Sequence, residues 1–88
     1  MPNDEGESNY EATRLAARRL VAMNLTELRV TRQLSQAELA RRSGVTKREL
    51  EDVEAGTGEM LIDTLSSLAE GLNVDVAFLF RDRTDDVH

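Results

Sequence analysis

The chain has 88 residues and a formal net charge of −6, with no cysteine, no tryptophan and a single histidine, His88. That length allows one small domain with a thin core; lacking cysteine, it has no disulfide, thiolate metal site or thiol nucleophile, and one histidine builds neither a metal site nor a catalytic triad. No apolar run approaches the ~18–20 residues of a membrane span, and Met1–Gly6 carries no basic leader, so a soluble, cytoplasmic protein without cofactor or metal is expected.

Charge is distributed unevenly. The first eleven residues hold four acids and no base, and residues 49–80 hold eight acids and no base. Between them, residues 12–48 hold nine bases against only Glu27 and Glu38. The overall charge opposes nonspecific attraction to a polyanion, but the basic block gives the domain one positive end. Two Phe and one Tyr are too few for a platform that stacks single-stranded bases.

In chain order, residues 1–9 are acidic, contain Pro2 and Gly6, and lack apolar periodicity, which reads as a disordered arm. From Tyr10 to Met23, the recurrence of Ala12, Leu15, Ala16, Leu20 and Met23 predicts an amphipathic helix with these residues inward. Asn24-Leu-Thr-Glu27 has capping-box spacing, predicting a second helix, or a kinked continuation, that carries Leu25 and Leu28 inward and ends near Arg32. Ser35 with Glu38 predicts a helix over 36–43, which Gly44 can end in the left-handed conformation. Thr46 with Glu49 caps the next helix, and Gly56 stops it. After a loop to Ile62, Asp63 can cap a helix from Thr64 to Leu72 with Leu65, Leu68 and Leu72 inside.

The last apolar segment allows two readings. As a helix, Asp75 caps a turn containing Phe78 and Leu79. As a strand over 74–81, Val74, Val76, Phe78 and Phe80 alternate with Asp75, Ala77 and Leu79. The β-branched and aromatic content favours the strand. A lone strand needs a partner, and the simplest is its own copy across a two-fold axis, making Val74, Val76, Phe78 and Phe80 dimerisation residues. The expected architecture is all-α: five helices in a domain over 10–80, a dimer-forming C-terminal strand, and a flexible tail at 82–88.

Ala40, Gly44 and Leu50 stand at the spacing A-x3-G-x5-L. Two crossing helices need a small residue at the crossing, a turn residue tolerant of positive φ, and an apolar anchor on the second helix. Leu39, Val45 and Val53 complete the shared core of a helix-turn-helix motif over 36–55. The run L-R-x-x-R-x-L-S-Q-x-E-L-A-x-x-x-G-V-T-x-x-x-L-x-x-V-E-x-G, Leu28 to Gly56, resembles the Cro/lambda-repressor-like helix-turn-helix family. With T-L-x-x-L-A-E-G-L-N-V at Thr64–Val74, the resemblance covers roughly residues 24–80. The added N-terminal helix and alternating tail also resemble antitoxins of toxin–antitoxin pairs.

This resemblance implies a dimeric, sequence-specific transcriptional regulator on a palindromic double-stranded operator, with the second motif helix in the major groove. It implies that Gln36 approaches a phosphate at a helix N-terminus and Thr46 touches the backbone. Lys47 and Arg48 would face bases, Arg48 pairing bidentately with guanine, while Arg41 and Arg42 add phosphate contacts. It places Arg29 and Glu54 as an internal ion pair. A toxin or other protein partner, an autorepressor role and the absence of catalysis belong to the same expectation.

Two features depart from that pattern. The second motif helix carries Glu49, Glu51, Asp52 and Glu54; Glu49 serves its cap and Glu54 pairs with Arg29, while Asp52, four residues after Arg48, can pair with it. The loop Thr57–Ile62 holds Glu59, Met60, Leu61 and Ile62 where basic residues are common in the family. A narrow DNA footprint, confined to the start of that helix, is therefore expected. The competing reading is a protein-interaction module whose acidic half, 49–80, binds a basic partner.

Overall fold

The computed structural model describes residues 3–82, with side chains from Asn9 onward. It holds four α-helices, α1 (Asn3–Thr31), α2 (Gln36–Ser43), α3 (Lys47–Ala55) and α4 (Ile62–Gly71), and a 3-10 helix at Val76–Phe80. No strand occurs among the described residues, and the part of the tail from residue 83 lies outside them.

The first helix departs from expectation most. Its backbone is already helical at Asn3, within the segment read as an arm, and it continues without a break through Asn24. Five expected helices are therefore four. Asn24 is only 2% exposed and caps nothing. Its Nδ2 donates to the carbonyls of Leu79 at 2.9 Å and Arg81 at 3.0 Å. The capping-box spacing is present, but the polar side chain is used across the fold, fastening the C-terminal segment to α1. Asn24→Ala removes the donor for both carbonyls and should cost ~1–3 kcal/mol, the penalty for leaving buried polar groups unsatisfied. Urea unfolding measures this, and a change under ~0.5 kcal/mol would contradict the latch.

The buried face of α1 also differs. Val21, Ala22 and Leu25 are in the core and Leu28 packs against it, whereas Leu15 and Met23 are each 48% exposed. Ala12 and Ala16 are exposed as well. The helix carries two apolar stripes, and periodicity alone cannot say which one meets the core.

The motif helices form as their local signals require. Ser35 Oγ accepts the Glu38 N–H at 3.0 Å. Thr46 Oγ1 accepts from Glu49 N at 3.0 Å, and Thr46 N donates back to Glu49 Oε1 at 2.8 Å, closing a capping box. Gly44 (φ 73°) and Gly56 (φ 74°) end α2 and α3 in the left-handed region. α4 starts two residues earlier than expected: Leu61 holds the cap position without a side-chain bond, and Asp63 sits in the first turn, where its charge suits the helix dipole.

Leu39, Ala40, Leu50, Val53, Leu65, Leu68, Ala69 and Leu72 join Val21 and Leu25 in one core. The expected strand is instead the 3-10 helix, reached through Asn73 in the left-handed region (φ 60°). Leu79, which strand alternation sets opposite Val74, Val76, Phe78 and Phe80, is the fully buried residue of the segment. Val74 and Val76 pack on the core. With α4 on one side and α1 on the other, the segment already has its partners within the chain. A strand pairing of 74–81 with a second copy is thereby corrected.

Candidate nucleic-acid interface

α2 and α3 are joined by the Gly44 turn, with Leu39, Ala40, Leu50 and Val53 buried in one shared core. Burying that side of α3 leaves its first turn outward. Arg48 is the most exposed cation there, its side chain 83% accessible, and Lys47 is exposed beside it. Thr46, ahead of them, uses its hydroxyl oxygen as a cap acceptor and keeps its O–H available as a donor.

The orientation of α3 is held from behind by Arg29 and Glu54. Arg29 Nε donates to Glu54 Oε2 at 2.6 Å and Nη2 to Oε1 at 3.0 Å, a bidentate pair. Their side chains are only 15% and 7% exposed. Arg29 Nη1 also donates to the Leu34 carbonyl at 2.8 Å, tying α1 to the chain entering α2. Thus one guanidinium joins α1, the α1–α2 connection and the last turn of α3.

Gln36 belongs to this network. Its Nε2 donates to Glu54 Oε1 at 2.9 Å, which fixes the side chain at the start of α2 and leaves its second amide hydrogen free to donate elsewhere. Arg41 and Arg42 are exposed in the last turn of α2, with Arg41 Nη2 3.5 Å from Glu38 Oε2. Arg48 Nε lies 3.6 Å from Asp52 Oδ1, the pair its spacing allows. Lys47 Nζ lies 3.4 Å from Glu51 Oε2, a contact the same i,i+4 rule would have found. The Gln36–Glu54 bond and the Asn24 latch have no signal in local spacing. Of the four residues expected at a dimer contact, Val74 and Val76 pack on the core, whereas Phe80 is 39% exposed and Arg81 stacks over Phe78 at 4.5 Å.

Among the described residues no cluster of metal-ligating side chains occurs, and no helix is long and apolar enough to cross a membrane. Fold and site together define a helix-turn-helix domain whose second motif helix presents its first turn outward. The helix-turn-helix family model HTH_3 matches residues 25–79. The chain belongs to that family, the Cro-type class its motif resembles.

Solved structures agree with this placement. An HTH_3 family transcriptional regulator from Vibrio cholerae aligns with a TM-score of 0.72 and 31% identity, over 76% of this chain and 38% of that one. The restriction-modification controller protein C.AhdI from Aeromonas hydrophila gives a TM-score of 0.70 and 31% identity, over 74% of this chain and 98% of that one. A hypothetical transcription factor, NHTF, from Neisseria gives 0.75 and 25%, over 81% and 82%. The chain spans well under half of the Vibrio regulator, but nearly all of the controller protein. No curated protein matches the chain.

Proposed function

We propose that this protein is a sequence-specific regulator of transcription that binds a palindromic double-stranded operator as a homodimer and represses its own promoter. The observation that carries the reading is the first turn of α3: Lys47 and Arg48 point outward beyond a capped helix start whose back is fixed by Arg29 and Glu54. Arg48 reads a guanine, Lys47 a neighbouring base edge, and Thr46 and Gln36 donate to phosphates, with Arg41 and Arg42 as outer phosphate contacts. The surface offered to a second copy is the exposed apolar stripe of α1, with Leu15, Met23 and Val30, in place of the C-terminal segment.

Few phosphates are gripped in this arrangement, because the loop after α3 carries Glu59 and no base. The test is operator binding as a function of salt. The slope of log K against log salt falls by ~0.9 per phosphate neutralised, so a shallow slope of about −3 to −5 per dimer is expected. A slope near −10, as for a protein with many phosphate contacts, would contradict the narrow footprint.

A second reading is favoured by the acidic half together with exposed Leu61 (53%) and Ile62 (63%): a protein partner, a toxin in the antitoxin case, lies against residues 49–80. Co-purification of a stoichiometric basic protein supports it. It is compatible with DNA binding through the opposite, basic portion of the chain.

A further inference from the structure

The outward face of α3 is built from Lys47, Arg48, Glu51, Asp52 and Ala55, because Leu50 and Val53 are buried and Glu54 turns toward Arg29. On that face each first-turn cation is held by a carboxylate one turn on, Lys47 by Glu51 at 3.4 Å and Arg48 by Asp52 at 3.6 Å. Gln36 is held in the same way by Glu54 at 2.9 Å. Three of the long side chains that would reach DNA are therefore already engaged by acids of α3 itself.

Helix stability does not account for the two exposed pairs. At i,i+4 spacing the favourable order places the acid N-terminal to the base, in keeping with the helix dipole. Here both pairs run the other way, with cations at the positive end of the helix and carboxylates toward the negative end. The four side chains are 42–83% exposed, a setting in which ion pairs contribute little. What the arrangement achieves is cancellation: the face meeting DNA carries two positive and two negative charges, leaving no net attraction for phosphate.

Resting on the reading of the chain as a DNA-binding regulator, we infer that Glu51 and Asp52 are specificity-determining residues, internal competitors that withhold Lys47 and Arg48 from nonspecific phosphate. Transferring either cation to a phosphate oxygen exchanges one ion pair for another and leaves a bare carboxylate beside a polyanion. That cost falls on every sequence. Only a matching base edge compensates it: guanine O6 and N7 take Arg48 bidentately, which its single contact to Asp52 does not.

The test compares wild type with E51Q/D52N, which keeps side-chain shape and removes both charges. The full chain is titrated, from about 50 to about 200 mM salt, against a duplex that wild type selects from a random pool and against a shuffled duplex of equal composition. Affinity of the variant for the shuffled duplex should rise about tenfold or more, and its salt slope should steepen by up to about two units per protomer. Affinity for the selected duplex should rise less, so the ratio of the two falls. An unchanged ratio, with wild-type selection intact, overturns the inference and leaves the DNA reading standing. Preferential loss of the selected duplex also overturns it, since the carboxylates would then be base readers rather than competitors. Failure of wild type to select any duplex overturns the DNA reading and this inference with it. An unchanged melting temperature shows that the variant is folded.

Discussion

Replacing Arg29 by Met should destabilise the domain by ~3–5 kcal/mol, because it strands the Glu54 carboxylate, 7% exposed, without its bidentate partner. Gln36 would be left as a lone neutral donor to that charge, and the Leu34 carbonyl would lose the Nη1 contact. Domains of this size have a margin of only ~5–10 kcal/mol, so the loss should be visible as a large fall in melting temperature. The double variant Arg29→Met/Glu54→Leu should recover most of it, since a buried pair is often replaced by apolar side chains at little cost. A single variant within ~1 kcal/mol of wild type would refute the role given to the pair. The same substitution bears on DNA, because Arg29 is the only described side chain that bonds to both the α1–α2 connection and the last turn of α3.

The second large effect is on binding and leaves the fold alone. Lys47→Ala/Arg48→Ala should weaken operator affinity by ~30- to 1,000-fold, since a good bidentate base contact is worth ~1–3 kcal/mol and a second cation is lost with it. Stability should change by less than ~1 kcal/mol, because both side chains are largely exposed and their carboxylate partners hold them weakly. Fluorescence anisotropy on a labelled operator, alongside thermal unfolding, separates the two quantities. Operator affinity within a factor of about three of wild type would remove Lys47 and Arg48 from the reading surface.

How much of this was legible before the structure depends on the range of each interaction. The motif was fully legible, because its determinants are local: the Ser35 and Thr46 caps, the glycines at 44 and 56, and the i,i+4 partners of Arg48. Arg29 and Glu54 were reached only through resemblance, since nothing across their separation of 25 positions marks a contact. Asn24 misled because Asn-x-x-Glu is a start signal only where the chain leaves a helix. In a helix that continues, a buried Asn must find other partners, and here they lie more than fifty residues away. The C-terminal segment misled for a related reason. Six apolar residues among the seven from 74 to 80 can satisfy period two, yet α4 and α1 leave a slot that Leu79 fills from a tight helical turn. The inward face of α1 was illegible because both of its stripes are apolar, and only tertiary packing distinguishes them.

The acids of α3 take on separate roles once the geometry is known. Glu49 caps the helix, Glu54 anchors it to α1, and Glu51 and Asp52 restrain the two cations that face outward. An acidic recognition helix is therefore compatible with reading DNA, provided that reading is confined to one turn and rewarded by base edges more than by phosphate.

Guanine-methylation interference on the wild-type-selected operator tests that central claim most directly. Methylating N7 removes one of the two acceptors Arg48 needs, so binding should be blocked at one guanine in each half-site. With Arg48→Ala the interference at that guanine should vanish while other positions keep their pattern. Interference that persists unchanged in Arg48→Ala would contradict the claim that the first turn of α3 reads the operator.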